Sequence, residues 1–365
     1  MKVDARARAW VTLQVSGVGP RPFATLLRAF GSPDAVVAAT PAQRRKVVAA
    51  AAAAALDSGP DADRLATALA WLEAPGHDLI ALCDPDYPAS LLEIGDPPPV
   101  FYCMGRRELL ARPALAIVGS RNATPQGASD AQAFARALSA AGLTIVSGLA
   151  LGIDAAAHRG ALEGVGSSIA VTGTGPDRVY PAGNRDLAHD LAARGLIISE
   201  FSPGTPPLPQ NFPRRNRVVS GLARGVLVIE ATLSSGSLIT ARLAGEQGRE
   251  VFAQPGSIHS PFSKGCHKLL RVGAKLVETA QDVLDELRLP HAGAAIPATA
   301  TAVVDDDLTD DERAVQAALS HAPSTVDALA ARSGLAPEAV AAALLALELA
   351  GRVAPVPGGL WQRLD

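Results

Sequence analysis

"LAIVGSRNATPQG", residues 115–127, decides the fold class of this chain. A short apolar run ends in Gly119 and Ser120, and a helical pattern that opens on a proline follows near 126–141. The same succession recurs in "LTIVSG" (143–148, before a helix near 152–163), "SSIAVTGTG" (167–175), "GLIISE" (195–200), "GVLVIEA" (225–231) and "EVFAQPG" (250–256). Continuous apolar strands alternating with helices predict a Rossmann-like, doubly wound parallel α/β sheet covered on both faces.

An all-helical domain is predicted before this sheet. Residues 1–75 show only helical spacing, and the glycine turn "SGVGPRP" (16–22) indicates a SAM-like or helix-hairpin-helix unit. The turn could offer backbone N–H groups to a phosphate, although a plain packing turn is the alternative. The Rossmann-like domain then covers 76–290, with "HDLIALC" (77–83) and "PPVFYCMG" (98–105) as edge strands.

A winged helix is predicted at the other end. A linker rich in Pro, Ala and Thr at 291–307 leads into residues 308–365, which open on a Thr309–Glu312 capping box and close on a wing, "APVPGGLWQRL" (354–364). The helix at 337–351 contains two glutamates and no Lys or Arg. We therefore expect no specific duplex binding there. A protein contact, a return onto the basic rim of the sheet, or mere packing remain as alternatives.

Composition excludes several classes of protein. A net charge of -3 excludes a uniformly basic nucleic-acid coat, although an acidic block at 305–312 leaves the remaining chain positive. Three cysteines without a CxxC pair argue against a disulfide framework. Neither an apolar signal region nor a membrane-length apolar run is visible, so we expect a cytoplasmic protein.

Small residues follow the predicted parallel strands, at the edge where doubly wound sheets bind ligands. They let backbone amides and helix N-termini approach an anion. Neither GxGxxG nor a Walker motif occurs, so no nicotinamide or P-loop site and no cofactor is predicted. The candidates are Gly119, Ser120, Arg121, Ser147, Gly148, Gly173, Gly175, Ser235 and Gly236.

An arginine cluster, "NFPRRNR" at 211–217, begins on the same edge. Arginines beside Phe212 combine phosphate contacts with a stacking surface, as single-stranded nucleic acid requires. Arg121, Arg214 and Arg215 are assigned to the anion, whereas Arg217 is as readily explained by an ion pair with Glu200 or Glu230. Replacing Arg121 or Arg215 with alanine is expected to weaken DNA binding and leave the fold intact.

Asp154 and His158 lie four residues apart in "GLALGIDAAAH" and could share a helix face as metal ligands. No third ligand accompanies them, and Asp154 fits a helix cap. We therefore predict no metal. No catalytic constellation stands out either.

Together these motifs resemble the DNA-processing protein A (DprA, or Smf) family. The resemblance covers about 115–277 and rests on seven motifs in order: "AIVGSRNATPQG", "GLTIVSGLALGIDAAAHRGAL", "SIAVTGTGPDRVYPAGNRDL", "IISEFSPG", "FPRRNRVVSGLARGVLVIEA", "SGSLITARLAGEQGREVFAQPG" and "SKGCHKLLRVGAKLV". It implies a non-catalytic protein of natural transformation. Such a protein binds and protects incoming single-stranded DNA, loads the RecA recombinase and forms a homodimer through the Rossmann-like domain. A single-strand-binding protein is a further candidate partner.

The resemblance also implies residue roles. Gly119, Ser120 and Arg121 would bind phosphate, Arg215, Asn216 and Arg217 would line the same pocket, and Phe212 would stack on a base. Some relatives carry lysine before this motif, where this chain has Pro209 and Gln210, and asparagine is common at the position of His267. Lys264 or Arg185 are candidate replacements for the missing lysine.

Two rival functions use the same edge of the sheet. Nucleotide phosphoribohydrolases (the lysine decarboxylase-like class) share the glycine-rich phosphate site, but their PGGxGTxxE motif is absent from "EATLSSGSLITARLAGEQG". Release of adenine from AMP would reveal such an enzyme. A sensor of a nucleotide signal is the other rival, and titration with mononucleotides against an oligonucleotide would separate it from a DNA-binding protein.

Overall fold

The computed structural model describes residues 5–289, 308–319, 323–356 and 358–364, so the predicted linker at 291–307 lies outside the described residues. The N-terminal domain is helical, as predicted. Its helices are α1 (Ala5–Val15), α2 (Pro20–Phe30), α3 (Pro33–Ala38), α4 (Pro41–Arg45), α5 (Ala50–Asp57) and α6 (Ala62–Leu72). Proline in the first turn starts three of them, and Ser32, Thr40 and Asp61 cap α3, α4 and α6.

A nine-stranded sheet follows. Its elements are β1 (His77–Ala81), α7 (Ala89–Leu92), β2 (Val100–Gly105), β3 (Ala114–Gly119), α8 (Pro125–Ala140), β4 (Thr144–Ser147), α9 (Ile153–Ala161), β5 (Ser168–Val171), α10 (Arg185–Arg194), β6 (Leu196–Ser199), α11 (Asn211–Leu222), β7 (Gly225–Ile229), α12 (Ser237–Glu246), β8 (Glu250–Ala253), α13 (Lys264–Arg271), β9 (Lys275–Leu276) and α14 (Ala280–Glu286). The strand order is β1-β2-β6-β5-β4-β3-β7-β8-β9. The seven strands from β6 to β9 are parallel, and β2 and β1 add an antiparallel edge.

The sheet has an apolar core on each face, as the continuous apolar strands predict. Along β3, Leu115 and Ile117 pack against α8 and α9, whereas Ala116 and Val118 pack on the face covered by α11 and α12. The strand order reverses between β3 and β7, because β4 follows β3 on one side and β7 flanks it on the other. We call the edge formed by the carboxyl ends of the parallel strands the rim; a doubly wound sheet binds its ligands there, at the reversal.

The helical domain packs on the antiparallel edge of this sheet. Trp10, Phe23 and Leu26 share one apolar cluster with Val100 of β2. The Tyr102 hydroxyl, also on β2, donates a 2.6 Å hydrogen bond to Oε1 of Gln14 in α1. The two domains therefore have a continuous core beside the end of β6.

The C-terminal elements form the predicted winged helix. They are α15 (Asp310–Ala318), β10 (Ser324–Thr325), α16 (Val326–Ser333), α17 (Pro337–Leu349), β11 (Val353–Val356) and β12 (Leu360–Arg363). Thr309 and Glu312 make the predicted capping box, and β11 and β12 form the wing. Within the described residues, no single helix is long and apolar enough to cross a membrane; α16 and α17 reach that length only as a pair bent by 105°.

The wing lies against the Rossmann-like domain. Pro323 and Gln362 line a 260 Å³ cavity together with Asp130, Glu230 and Gln254. Burial raises the pKa of Glu230, and its carboxylate accepts hydrogen bonds from the backbone and hydroxyl of Thr124. This part of the wing thus meets the loops after β7 and β8, which belong to the rim, at a place where the carboxylates of Asp130 and Glu230 lie.

Candidate nucleic-acid interface

A 570 Å³ cavity opens at the rim where the strand order reverses. The loops after β3, β4 and β7 form its walls, and α9, α11 and α12 direct their N-terminal turns toward it. Helix N-termini supply partial positive charge and backbone N–H groups to an anion. We call this space the rim cavity. Among the predicted site residues it is lined by Gly119, Ser120, Arg121, Gly148, Phe212, Arg215, Asn216, Ser235 and Gly236.

Arg121 is the exposed cation of this group. Its guanidinium carbon lies 5.9 Å from the centroid of the Phe212 ring, and among the described residues it makes no ion pair. Tyr180 lies on the same ring, with 5.5 Å between centroids, and half of Tyr180 is exposed. A cation and two aromatic faces at the mouth of one cavity can bind a phosphate and stack a base.

Arg215 is placed differently from the expectation of a direct phosphate contact. It is 6% exposed, and its Nη1 donates to the carbonyl oxygens of Gly148, at 2.6 Å, and Val171. Burial lowers the pKa of Arg215 to about 10, with Asp154 acting against this and Arg121 adding to it. The side chain remains charged at neutral pH. It holds the turn after β4 to the end of β5, and these contacts argue against the prediction that its removal leaves the fold intact.

Asp154 and His158 both bond backbone N–H groups of the turn after β4. The Asp154 carboxylate accepts from the backbone N–H of Gly148, at 3.0 Å, and α9 is capped by Gly152, so Asp154 is not the predicted N-cap. His158 is fully buried and bonds Leu149 and Ser168 through its two ring nitrogens. Both side chains are occupied in holding the turn after β4.

Glu200 forms ion pairs with two of the remaining arginines. Its carboxylate is 6% exposed and pairs with Arg217 and, at 3.0 Å, with Arg214. Arg217 also lies 3.5 Å from Asp96, so the ion-pair explanation of Arg217 is the one observed. Arg214 is 40% exposed and lies over the ring of Phe201, outside the rim cavity. The cluster is thus divided between three environments.

The other predicted residues lie near the rim cavity without lining it. Ser147 is buried and donates to the carbonyl of Ile117. Gly173 provides space for Phe212, because a Cβ there would lie 2.8 Å from the ring. Gly175 donates to the carbonyl of Thr205, and Lys264 donates to that of Ile258. Gly173 and Ser147 therefore shape the cavity walls from behind.

Sequence reasoning missed several apolar residues around the rim. Tyr180 is the clearest, and an aromatic residue in a loop after a parallel strand was the available signal. Leu151, Leu208, Leu233 and Ile258 are also exposed in loops after parallel strands. Exposed apolar side chains beside a cationic cavity fit the unstacked bases of a single strand better than a stacked duplex.

Comparison with known proteins establishes the family. The family model described as DNA recombination-mediator protein A matches residues 78–288, and the DprA winged helix domain matches residues 297–359. The chain belongs to the DprA family. Protein Smf of Escherichia coli K12 is 43% identical over 302 residues, covering 81% of this chain and 80% of that protein.

Two solved DprA structures are similar to the chain. The X-ray structure of DprA from Streptococcus pneumoniae has a TM-score of 0.69 and 38% identity, and covers 78% of this chain and 99% of that one. DprA from Helicobacter pylori, whose structure is described as giving insight into a unique single-stranded DNA binding mode, has a TM-score of 0.53 and 32% identity. It covers 58% of this chain and 95% of that one. Fold and family therefore agree with the resemblance found in the motifs.

Proposed function

We propose that this protein binds single-stranded DNA along the rim, as part of DNA processing in natural transformation. The observation that carries the proposal is the exposed Arg121 guanidinium over Phe212, with Tyr180 beside it, at the mouth of the rim cavity. The H. pylori relative, described by its mode of single-stranded DNA binding, supports the same ligand.

The roles of the residues follow from their exposure. Arg121 contacts a phosphate directly, and Phe212 and Tyr180 stack on a base. Backbone N–H groups of the loops at Ser120 and Gly236 approach the same phosphate. Arg215 acts from behind the surface by fixing the turn at Gly148, because its Nη1 is bonded to the carbonyl oxygens of Gly148 and Val171.

The proposed partners are RecA, which the protein loads onto the bound strand, and a second copy of this chain; a single-strand-binding protein is a further candidate. With these three partners, the proposed function takes place in the cytoplasm. The second half of the Rossmann-like domain, with α12 and the last helix, is the proposed dimer region. Two exposed apolar residues support it, Val272 at the end of α13 and Leu276 on edge strand β9, which are 75% and 53% exposed. Sedimentation of residues 76–290 tests this, and a monomer at micromolar concentration would contradict it.

We propose no catalysis by this site. Asp154 is the carboxylate among the residues lining the rim cavity, and it already accepts two backbone hydrogen bonds. Glu230, which opens the segment that lacks the phosphoribohydrolase motif, bonds Thr124 and lines the cavity beneath the wing. Incubation with AMP provides the discriminating assay, since release of adenine would favour the enzyme.

The main test compares a labelled oligo-dT with a duplex of equal length across a salt series. Affinity for the single strand should fall by ~0.7 log units per log unit of salt for each phosphate neutralised. Arg121→Ala should weaken it by about 5- to 100-fold. The matched control is Arg8→Ala, which removes the same charge from an exposed position of α1 that does not line the rim cavity. Tighter binding of duplex, or equal binding by both variants, would contradict the proposal.

A further inference from the structure

A second pocket lies on the other side of α11 from the rim cavity. It has a volume of 270 Å³ and lies between the N-terminal helical domain and the Rossmann-like domain. We call it the interdomain pocket. Its walls include Val18, Gly19 and Arg64 from the helical domain, and Glu200, Phe201 and Arg214 from the sheet side.

Helix α11 separates the two pockets and faces both. Phe212 and Asn216 line the rim cavity, whereas Asn211 and Arg214 line the interdomain pocket. A helix with its side chains is about 10 Å wide, so an extended strand leaving the rim cavity needs only a few nucleotides to cross the first turn of α11. Leu208, in the loop before α11, is exposed at the edge of this path.

The pocket combines cations with an aromatic face. Arg64 is exposed on α6 and donates a 3.0 Å hydrogen bond to the Ser202 hydroxyl, and among the described residues it makes no ion pair. The Arg214 guanidinium lies 5.4 Å from the centroid of Phe201. Glu200 is the carboxylate of the lining, and it is shared between Arg214 and the buried Arg217. The lining therefore keeps an uncompensated positive charge, contributed by Arg64.

Two further groups in the pocket have unused hydrogen-bonding capacity. Oε2 of Glu200 accepts no hydrogen bond, although this side chain is only 6% exposed. In the turn before α2, the backbone N–H groups of Val18 and Gly19 donate none among the described residues, and no side chain caps the helix. A buried carboxylate oxygen can accept from a ring N–H of a base, such as that of thymine, and free backbone N–H groups of a turn can donate to a phosphate.

We propose that the interdomain pocket is a second subsite for the same DNA strand, which takes a nucleotide after the strand has crossed α11. Arg64 and the Val18–Gly19 turn contact its phosphate. Phe201 and Glu200 face its base. The helical domain thereby becomes part of the DNA-binding surface, and the glycine turn "SGVGPRP" gains a role. The inference rests on the proposed binding of single-stranded DNA at the rim.

The test measures the affinity of the full-length protein for oligo-dT of ~2 and ~20 nucleotides, the first too short to occupy the rim cavity and also cross α11, the second longer than the site size of one small single-strand-binding domain. Arg64→Ala is the test variant, because the side chain is exposed and its loss leaves no charge unpaired. Arg8→Ala is the matched control, since it removes an exposed arginine of the same domain that does not line the pocket. Arg121→Ala reports on the rim cavity.

Arg64→Ala should weaken binding of the long oligonucleotide by about 5- to 30-fold relative to Arg8→Ala and lower its salt dependence by ~0.7 log units per log unit of salt. The short oligonucleotide, which fills the rim cavity alone, should be unaffected, and Arg121→Ala should weaken both. If Arg64→Ala matches Arg8→Ala on both lengths, or weakens both equally, the second subsite is overturned and binding at the rim stands. If the wild-type protein binds neither oligonucleotide, both proposals fail.

Discussion

Replacement of Arg215 by alanine should lower the free energy of unfolding of this protein more than it lowers the free energy of DNA binding. The side chain is 6% exposed, donates to the carbonyl groups of Gly148 and Val171, and lies near the buried carboxylate of Asp154. Removing Arg215 takes the donor from two carbonyl oxygens and a cation from the neighbourhood of Asp154, which should destabilise by about 1–3 kcal/mol. Arg121→Ala provides the contrast, because an exposed arginine without an ion pair should change the free energy of unfolding by less than about 0.5 kcal/mol.

The loss of stability caused by Arg215→Ala should depend on pH. Burial raises the pKa of Asp154, and the charge of the nearby Arg215 guanidinium is the strongest influence that opposes this rise. In the variant that pKa should rise further above its unfolded value, so the folded state binds the extra proton. A raised carboxyl pKa contributes stability at low pH that is lost as pH rises through it. The loss of stability should therefore be larger near about pH 8 than near about pH 5.

Urea unfolding followed by circular dichroism at the two pH values measures both effects. Adding Asp154→Asn to Arg215→Ala should recover part of the loss at the higher pH, because asparagine keeps an acceptor for the N–H of Gly148 without the charge. Equal stability of Arg215→Ala and Arg121→Ala, or a deficit independent of pH, would refute the assignment of Arg215 to the framework of the rim.

Three further changes test other parts of the structure. Burial lowers the pKa of His158 to about 3 in the folded protein, and the charges of Arg215 and Arg159 add to this effect. Stability should therefore fall as pH drops below about 6.5, by up to ~1.4 kcal/mol per pH unit. Urea unfolding across this pH range should find a smaller pH dependence for His158→Gln. Gly127→Ala should destabilise the protein by about 2–4 kcal/mol, because the added Cβ would lie 2.3 Å from Cδ of Glu230. Gly245→Ala should stabilise it slightly, because a Cβ there meets nothing within 4 Å. Thermal unfolding of the two variants measures both effects. Phe212→Ala should weaken oligo-dT binding by about 1–3 kcal/mol, because a base loses its stacking partner. If the variant binds with wild-type affinity in a fluorescence polarisation assay, the Phe212 ring does not contact DNA.

Much of the architecture could be predicted from the sequence because local patterns determine it. The apolar run 115–118 with small residues behind it indicated β3, and the observed α8 and α17 begin within a residue of the predicted starts. The Thr309–Glu312 capping box and the wing were also correct. Each depends on contacts between residues close in the chain or on a period of two or 3.6 residues, which a sequence displays directly.

The rim could be predicted as a surface because all parallel strands end on it, whichever strands are neighbours. The glycine and serine turns after β3 and β7 were therefore assigned to one cavity, and they line it. The partners of its charged side chains could not be predicted in the same way. Glu200 and Arg217 come from different elements, and only the packing of α11 against the end of β6 brings them together.

The sequence by itself determined that an arginine-rich helix begins on the rim of a parallel sheet. The tertiary structure decided what each arginine does. Successive helical residues are rotated by about 100°, so Arg214, Arg215 and Arg217 leave α11 in three directions. One lies over Phe201 in the interdomain pocket, one is buried beneath the rim cavity, and one is paired with Glu200 and Asp96. Which direction faces ligand and which faces core depends on how the helix is seated on the sheet, and residues distant in the chain set that orientation.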